Sequence, residues 1–248
     1  MQRYFVETEH WQGQAVTIDG EDVHHISRVM RMEPGSEVVC IHPVEGAALC
    51  RIEEIKEKTV DCEVLEWMDE DRELPVEVTI VQSLGKGDKL EQVVQKGTEL
   101  GASRFIPFAA DRSVAKWDLK KVKKKVERLQ KIAKEASEQS ERTRIPEVSS
   151  LYQLQDLLKE ESFTWCFFGH AEEARDAVSP SLKSRLTSIE PGDKVLIVFG
   201  PEGGFSEKEV EAFKDSGYLP VRLGPRILRM ETAPLYFLSS LSYQVEEE

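Results

Sequence analysis

From Val76 onward, short apolar segments alternate with stretches of helical periodicity, and this alternation restricts the fold more than any other feature. VTIVQSL (78–84), RFIPFA (104–109), TWCFFG (164–169), KVLIVFG (194–200) and YLPVRLG (218–224) are each short, apolar and bounded by Gly, Pro or charge. Between the first two, Leu90, Val93, Val94 and Leu100 repeat at helical spacing up to Gly101. Val122, Val126, Leu129, Ile132, Ala133 and Ala136 then do the same behind the N-cap candidate Asp118, with KKVKKK on the outer face. Apolar strands with no hairpin signal between them predict a parallel sheet covered by helices on both faces, an α/β fold.

The first seventy residues follow another rule. QAVTI (14–18), EVVCIH (37–42), ALCRIEEI (48–55) and TVDCEVLEW (59–67) read as strands, with a hairpin turn at Val44-Glu45-Gly46. One short helix interrupts them, with Asp22 as expected N-cap, Val23, Ile26, Val29 and Met30 on one face, and Pro34-Gly35 as the stop. The acidic run Asp69-Glu70-Asp71-Arg72-Glu73 before Leu74-Pro75 lacks periodicity and ends where helix is disfavoured. It separates a domain over residues 1–72 from one over 73–248.

Composition narrows the function classes. The 248 residues carry a net charge of −13, with 40% hydrophobic and 32% charged residues and no repeat, which predicts a soluble globular protein. Runs such as VLIVF (195–199) are far shorter than the ~20 residues that span a bilayer, and the opening MQRYFVETEH lacks a secretory signal's apolar core. No membrane partner and a cytoplasmic location are therefore expected. Cys40, Cys50, Cys62 and Cys166 form no C-x-x-C pair and read as buried thiols, while His24 and His25 point about 100° apart on a helix, so no metal site is expected. The charge is unevenly spread: residues 1–85 carry −12, residues 86–144 carry +7 and residues 145–248 carry −8. A cationic middle gathers phosphate, or else forms a solvated helix face.

Two loops carry the chemistry. Gly200-Pro201-Glu202-Gly203-Gly204-Phe205-Ser206 follows the most apolar strand, and Ser206 with Glu209 forms a capping box that opens a helix. Such a loop presents bare backbone at the carboxyl end of a strand, where open α/β sheets bind ligands; a tight turn without a ligand is the bland alternative. Neither G-x-x-x-x-G-K-[ST] nor an early G-x-G-x-x-G is present, which counts against a triphosphatase and a dinucleotide dehydrogenase. After the next strand, Leu223-Gly224-Pro225-Arg226-Ile227-Leu228-Arg229-Met230-Glu231-Thr232-Ala233 concentrates two arginines, a carboxylate and a hydroxyl beside Gly-Pro. Arg229 and Glu231 alternatively form only a structural pair.

GPEGGFS and LGPRILRMETA, together with RYF, HHISRVMRMEPG, QSLGKGDKLEQVVQKGTELGASRFIPF and KIAKEASEQSERTRIPEV in this order, resemble the RsmE family of the SPOUT superfamily. These are S-adenosylmethionine-dependent enzymes that methylate N3 of one uridine in 16S ribosomal RNA. The resemblance covers most of the chain and departs at Glu141, where a smaller residue is expected. It implies a PUA-like β-barrel RNA-binding domain followed by a SPOUT methyltransferase domain with a parallel sheet and a C-terminal trefoil knot, and a homodimer formed through the knot region, with Leu235, Phe237, Leu238 and Leu241 of the last helix facing the partner as well as their own sheet.

Carried over residue by residue, the S-adenosylmethionine site falls on Phe199, Gly200, Pro201, Glu202, Gly203 and Gly204, on Leu223, Gly224, Pro225, Arg226, Ile227 and Leu228, and on Phe168 and Gly169 as a third wall. The RNA partner, 16S rRNA or the small ribosomal subunit, is expected on Arg3, Arg28, Arg31, Lys86, Lys89, Arg112, Arg142 and Arg144. Because N3 of uracil is a poor nucleophile until its proton leaves, a guanidinium beside a carbonyl oxygen and a proton acceptor are needed. Arg229 and Glu231 are the candidates for those roles, with Arg3 a further donor. A non-catalytic RNA-binding module, and a related knotted enzyme acting on tRNA or on a ribose hydroxyl, are the rival readings.

Overall fold

The computed structural model describes residues 1–170 and 181–247. The chain divides into two compact units, Met1–Glu73 with Ser137–Arg144, and Leu74–Ala136 with Ile145–Glu248.

In the first unit, β1 (Arg3–Phe5), β2 (Trp11–Gln12), β3 (Ala15–Asp19), β4 (Glu37–His42), β5 (Gly46–Ile55) and β6 (Thr59–Trp67) form one sheet in the order β1-β4-β5-β6-β3-β2. β1 runs parallel to β4 and the other neighbours are antiparallel. Alternation sends Val38, Cys40, Cys50, Ile52, Val60 and Cys62 into one core with Tyr4, Ile18 and Ile26, while Val39, Ile41 and Ala47 pack on the opposite face. Two register shifts in β5 against β6, at Leu49/Cys50 and Ile52/Glu54, supply the extra residues that bend a strand and let a small sheet curl. Cys40, Cys50 and Cys62 are buried thiols as expected, and Cys166 is half-buried.

The short helix departs from its expected form. α1 (Glu21–His24) is entered from Gly20, with no cap from Asp22, and His25–Val29 continues as a π-turn in which Met30 N–H donates to the His25 carbonyl at 2.9 Å. The wider turn rotates Val29 and Met30 off the buried face of Val23 and Ile26, leaving them 58% and 39% exposed.

Segment 137–144, read above as part of the second domain, belongs to the first unit. The Glu73 carboxylate accepts from Arg142 Nε at 3.1 Å and from the backbone N–H groups of Thr143 and Arg144 at 3.0 and 3.1 Å. Glu141 stands at φ 60°, a conformation that favours glycine, and its carboxylate pairs with Arg72 at 3.1 Å. This accounts for the smaller residue expected there.

Arg3 is buried and binds Glu70 through both terminal nitrogens, with Nη2 at 3.0 Å from Oε2. That guanidinium holds the Glu70 carboxyl below the usual carboxylate range. A depressed carboxylate contributes stability above its unfolded pKa of about 4.3, and the contribution is lost as pH falls through the lower folded value. Glu70→Gln is therefore expected to lower the thermal midpoint of the full chain at neutral pH, with the two midpoints converging as pH falls from about 5 to 2. A pH-independent gap between them would exclude this linkage.

The second unit holds β7 (Glu77–Ser83), α2 (Lys89–Glu99), β8 (Arg104–Phe108), α3 (Leu119–Gln139) as far as Ala136, β9 (Glu147–Val148), α4 (Leu154–Leu157), β10 (Trp165–Gly169), α5 (Leu182–Leu186), β11 (Lys194–Phe199), α6 (Glu207–Asp215), β12 (Leu219–Val221) and α7 (Thr232–Glu246). Its sheet is parallel throughout, in the order β12-β10-β11-β7-β8-β9. Val78, Ile80, Val195, Ile197 and Phe199 face a core shared with Val93 and Val94 of α2, Leu129 and Ala133 of α3, and Phe237, Leu238 and Leu241 of α7. Val81, Ile106, Leu196, Val198 and Phe168 face the opposite core, with Leu157 of α4 and Phe213 of α6. Apolar residues on both faces explain why these strands read as continuous hydrophobic runs. Asp118 caps α3 as expected, its carboxylate accepting from Lys120 N–H at 3.1 Å. Because β10 lies between β11 and β12, the carboxyl ends of these three parallel strands stand side by side.

Candidate cofactor and substrate site

The loop after β11 is fixed at both ends. Ser83 Oγ donates to the Phe199 carbonyl at 2.8 Å, which ties the end of β11 to β7. At the other end the capping box forms: Ser206 Oγ accepts from Glu209 N–H at 3.2 Å, and Glu209 Oε2 accepts from Ser206 N–H at 2.8 Å. Glu209 is 1% exposed, and its second oxygen accepts from Asp111 N–H at 2.9 Å while Ser206 Oγ donates to Asp111 Oδ2 at 2.7 Å. One buried carboxylate thus joins the glycine loop to the segment after β8. Two glycines have local reasons: Gly204 sits at φ +67°, and a Cβ on Gly200 would come within 3.3 Å of the Phe205 ring.

Above these loops lies a cavity of about 640 Å³, within the ~300–1,000 Å³ common for small-molecule sites. Gly169, Phe199, Gly200, Pro201, Glu202, Gly203 and Gly204 line it from the ends of β10 and β11. Leu223, Arg226, Ile227, Leu228, Arg229 and Met230 line it from the segment after β12. Thirteen residues anticipated or flanked by the two sequence loops therefore meet around one space. Its walls combine bare glycine backbone and the apolar Phe199, Leu223, Ile227 and Leu228 with the charged Lys89, Arg112, Glu202, Arg226 and Arg229. His170 also lines it, and its buried Nδ1 has no hydrogen-bond partner among the described residues, leaving a polar atom for a ligand to satisfy.

Several expected residues lie elsewhere. Phe168 is fully buried, with its ring 5.4 Å from that of Phe213, so it supports the floor rather than lining the cavity. Gly224 and Pro225 turn the chain beside the cavity, Gly224 at φ +79°, without lining it. Arg3 and Arg142 are buried with their guanidinium groups on Glu70 and Glu73, which withdraws them from phosphate and from the reacting base. Arg28, Arg31 and Arg144 are exposed on the first unit, and Lys86 is exposed on the second. Phe237, Leu238 and Leu241 are consumed by the unit's own core, whereas Tyr236 and Tyr243 of α7 are exposed.

Lys89 and Arg112, expected on RNA, line the cavity. Arg112 Nη1 donates to the Gly203 carbonyl at 3.3 Å. Lys89 Nζ donates to Glu202 Oε1 at 2.7 Å and stands 3.7 Å from Glu231 Oε2. The Glu202 contact raises the Lys89 pKa and, reciprocally, lowers that of Glu202. The structural alternative of an Arg229–Glu231 pair is not what forms: Glu231 faces Lys89, and Arg229 is exposed at the cavity with no ion pair among the described residues. His170 and Val221 are wall residues that sequence reasoning missed, although the place of His170 directly after Phe168-Gly169 put it at a strand's carboxyl end.

A parallel α/β domain with a glycine-walled cavity of small-molecule size at the carboxyl ends of neighbouring strands, in one chain with a small β domain, defines the class as an α/β protein with a ligand site at its strand ends. The RNA methyltransferase domain family matches residues 72–242, and the RNA methyltransferase PUA domain family matches residues 18–65. The ribosomal RNA small subunit methyltransferase E of Bacillus subtilis (strain 168) is 47% identical over 99% of this chain and 98% of its own length. A Legionella pneumophila chain solved with the cofactor SAM bound is 30% identical, with a TM-score of 0.84 over 97% of this chain and 96% of that one. A Neisseria gonorrhoeae ribosomal RNA small subunit methyltransferase E bound to S-adenosyl methionine is 27% identical, with a TM-score of 0.85 over 98% and 97%. This chain belongs to the ribosomal RNA small subunit methyltransferase E family. Among the described residues no helix is long and apolar enough to cross a membrane, and no group of three or more His, Cys, Asp or Glu side chains could hold a metal ion.

Proposed function

We propose that the protein transfers a methyl group from S-adenosylmethionine to N3 of one uridine in 16S ribosomal RNA, in the cytoplasm, with naked rRNA or the small subunit as substrate. The observation that carries this reading is the cavity at the ends of β10, β11 and β12, with its bare glycine wall and, among the described residues, a His170 nitrogen without a hydrogen-bond partner and an Arg229 without an ion pair at one rim. The domain limits 1–72 and 73–248, a C-terminal trefoil knot and a homodimer through it belong to the same proposal, and the exposed Tyr236 and Tyr243 of α7 are consistent with a partner on that face.

When bound, S-adenosylmethionine supplies an electrophilic methyl group. Gly200–Gly204, Leu223 and Arg226–Leu228 would bind and orient it through backbone groups, and Phe199, Val221, Leu223 and Leu228 would exclude water from it. Arg229 would stabilise the negative charge that spreads to a uracil carbonyl oxygen as N3 loses its proton to solvent. Glu231 acts as a positioning residue: it and Glu202 hold the Lys89 ammonium at the wall.

Nucleoside mass mapping of 16S rRNA from cells lacking the protein tests this reading. The expected result is loss of one N3-methyluridine, restored by the wild-type chain. An unchanged N3-methyluridine with loss of a tRNA or ribose methyl mark would transfer the protein to a rival class.

A further inference from the structure

A second concavity of about 300 Å³ lies between the β7–α2 turn and the start of α3, lined among others by Gly85, Lys86, Gly87, Lys116, Trp117 and Lys125. We infer that it is an RNA subsite, which seats a single-stranded stretch flanking the target uridine with one base stacked on Trp117. This rests on the rRNA methyltransferase reading and adds to it a place for the substrate that the cofactor cavity does not supply.

Three features carry the inference. The first is chemical. Trp117 packs against the core and is half-buried, and Lys125 Nζ lies over its ring, 5.0 Å from the centroid, on the face that a base takes when the lysine swings aside to a phosphate. An indole bordered by ammonium groups is the combination that holds single strands: every base has a face to stack, and every linkage has a phosphate to neutralise.

The second is charge. In a chain of net −13, this groove carries the exposed cations Lys86, Lys116 and Lys125, and the first two make no ion pair among the described residues. Its acidic wall residue, Glu91, is occupied by Arg128 at 2.7 Å. Lys123, one step from the groove, is by contrast an ordinary solvated lysine 3.9 Å from Glu127. The third is continuity. A Cβ on Gly85 would meet Met230 Sδ at 2.7 Å, and Met230 and Lys89 both line the cofactor cavity. The β7–α2 turn is thus a wall common to groove and cavity, and a strand lying over it passes from one to the other.

The test measures binding of a fluorescein-labelled twelve-nucleotide oligouridine, and methylation of an unmodified 16S rRNA transcript, by the full chain and its variants. Trp117→Ala should weaken RNA binding by about 5- to 150-fold, the range for losing one stacked base, and Trp117→Phe should recover most of it. Lys86→Ala with Lys116→Ala should lower the slope of log affinity against log salt by about 1.4, or 0.7 for each lost phosphate contact. Calorimetric affinity for S-adenosylmethionine should stay at the wild-type value in all of them. Wild-type RNA affinity in Trp117→Ala with intact cofactor binding would overturn the subsite. If that variant fails to fold, an unchanged salt slope in the lysine double variant would do so. Loss of a dimer on sedimentation, with RNA binding unchanged, would assign the groove to a second copy and also overturn it. A wild-type chain that methylates neither the transcript nor small subunits from cells lacking the protein would instead defeat the underlying functional reading.

Discussion

Arg229→Ala is expected to lower the single-turnover rate of methyl transfer by about 100- to 1,000-fold, the usual cost of removing one charge-stabilising donor. Affinity for S-adenosylmethionine and for RNA should change little, because the interaction gains strength only as charge develops on the uracil ring. The structure favours this role over a structural one. Arg229 is exposed at the cavity without an ion pair among the described residues, and the carboxylate two residues on is directed at Lys89. Arg229→Lys should recover part of the rate, since it keeps the charge and loses the planar fork. Glu231→Gln should be milder than either, because the amide keeps the size and shape of the side chain beside Lys89. Single-turnover assays on saturated complexes decide both, and an Arg229→Ala enzyme with the wild-type rate would remove Arg229 from the chemical step. A Glu231→Gln defect as deep as that of Arg229→Ala would restore Glu231 as proton acceptor.

Gly203→Val should weaken S-adenosylmethionine binding by about 5- to 150-fold, which corresponds to the ~1–3 kcal/mol that overpacking costs a filled site. Gly203 lines the cavity at the point where its carbonyl accepts from Arg112. A Cβ there would meet Arg112 at 3.5 Å, an ordinary contact, and the backbone is not in the left-handed region. The folded chain therefore accepts the first carbon, and the branches beyond it compete with the ligand or displace Arg112. Gly204→Val is a poorer probe, because at φ +67° it would strain the backbone regardless of ligand. Calorimetry on Gly203→Val with an unchanged melting profile separates the outcomes. Wild-type affinity in that folded variant would place the cofactor elsewhere.

What the sequence determined by itself was whatever depends on near neighbours. Strand alternation, the stop at Gly101, the Asp118 cap and the Ser206–Glu209 capping box are properties of a few consecutive residues, and each appears in the structure at its expected place. The two glycine-containing loops were legible for the same reason, and their order in the chain, set beside the other matching segments, identified the family. The short helix at Glu21–Val29 was misread because helical spacing assumes a 3.6-residue turn, and a single π-turn moves Val29 and Met30 off the face that the periodicity assigns them.

Only the tertiary structure decided which charges are spent on the fold and which remain for chemistry. Arg3 and Arg142 look like Arg28 and Arg144 in the sequence. Glu70 and Glu73, both more than sixty residues away along the chain from Arg3 and Arg142 respectively, make them buried braces. The same distinction separates Lys125, beside Trp117, from Lys123 in solvent, although they share one run of lysines. The placement of β10 between β11 and β12 brings Gly169 and His170 to the two loops and closes the cavity. Sheet order and long-range ion pairs arise from which distant surfaces bury each other, and no local spacing rule encodes that choice.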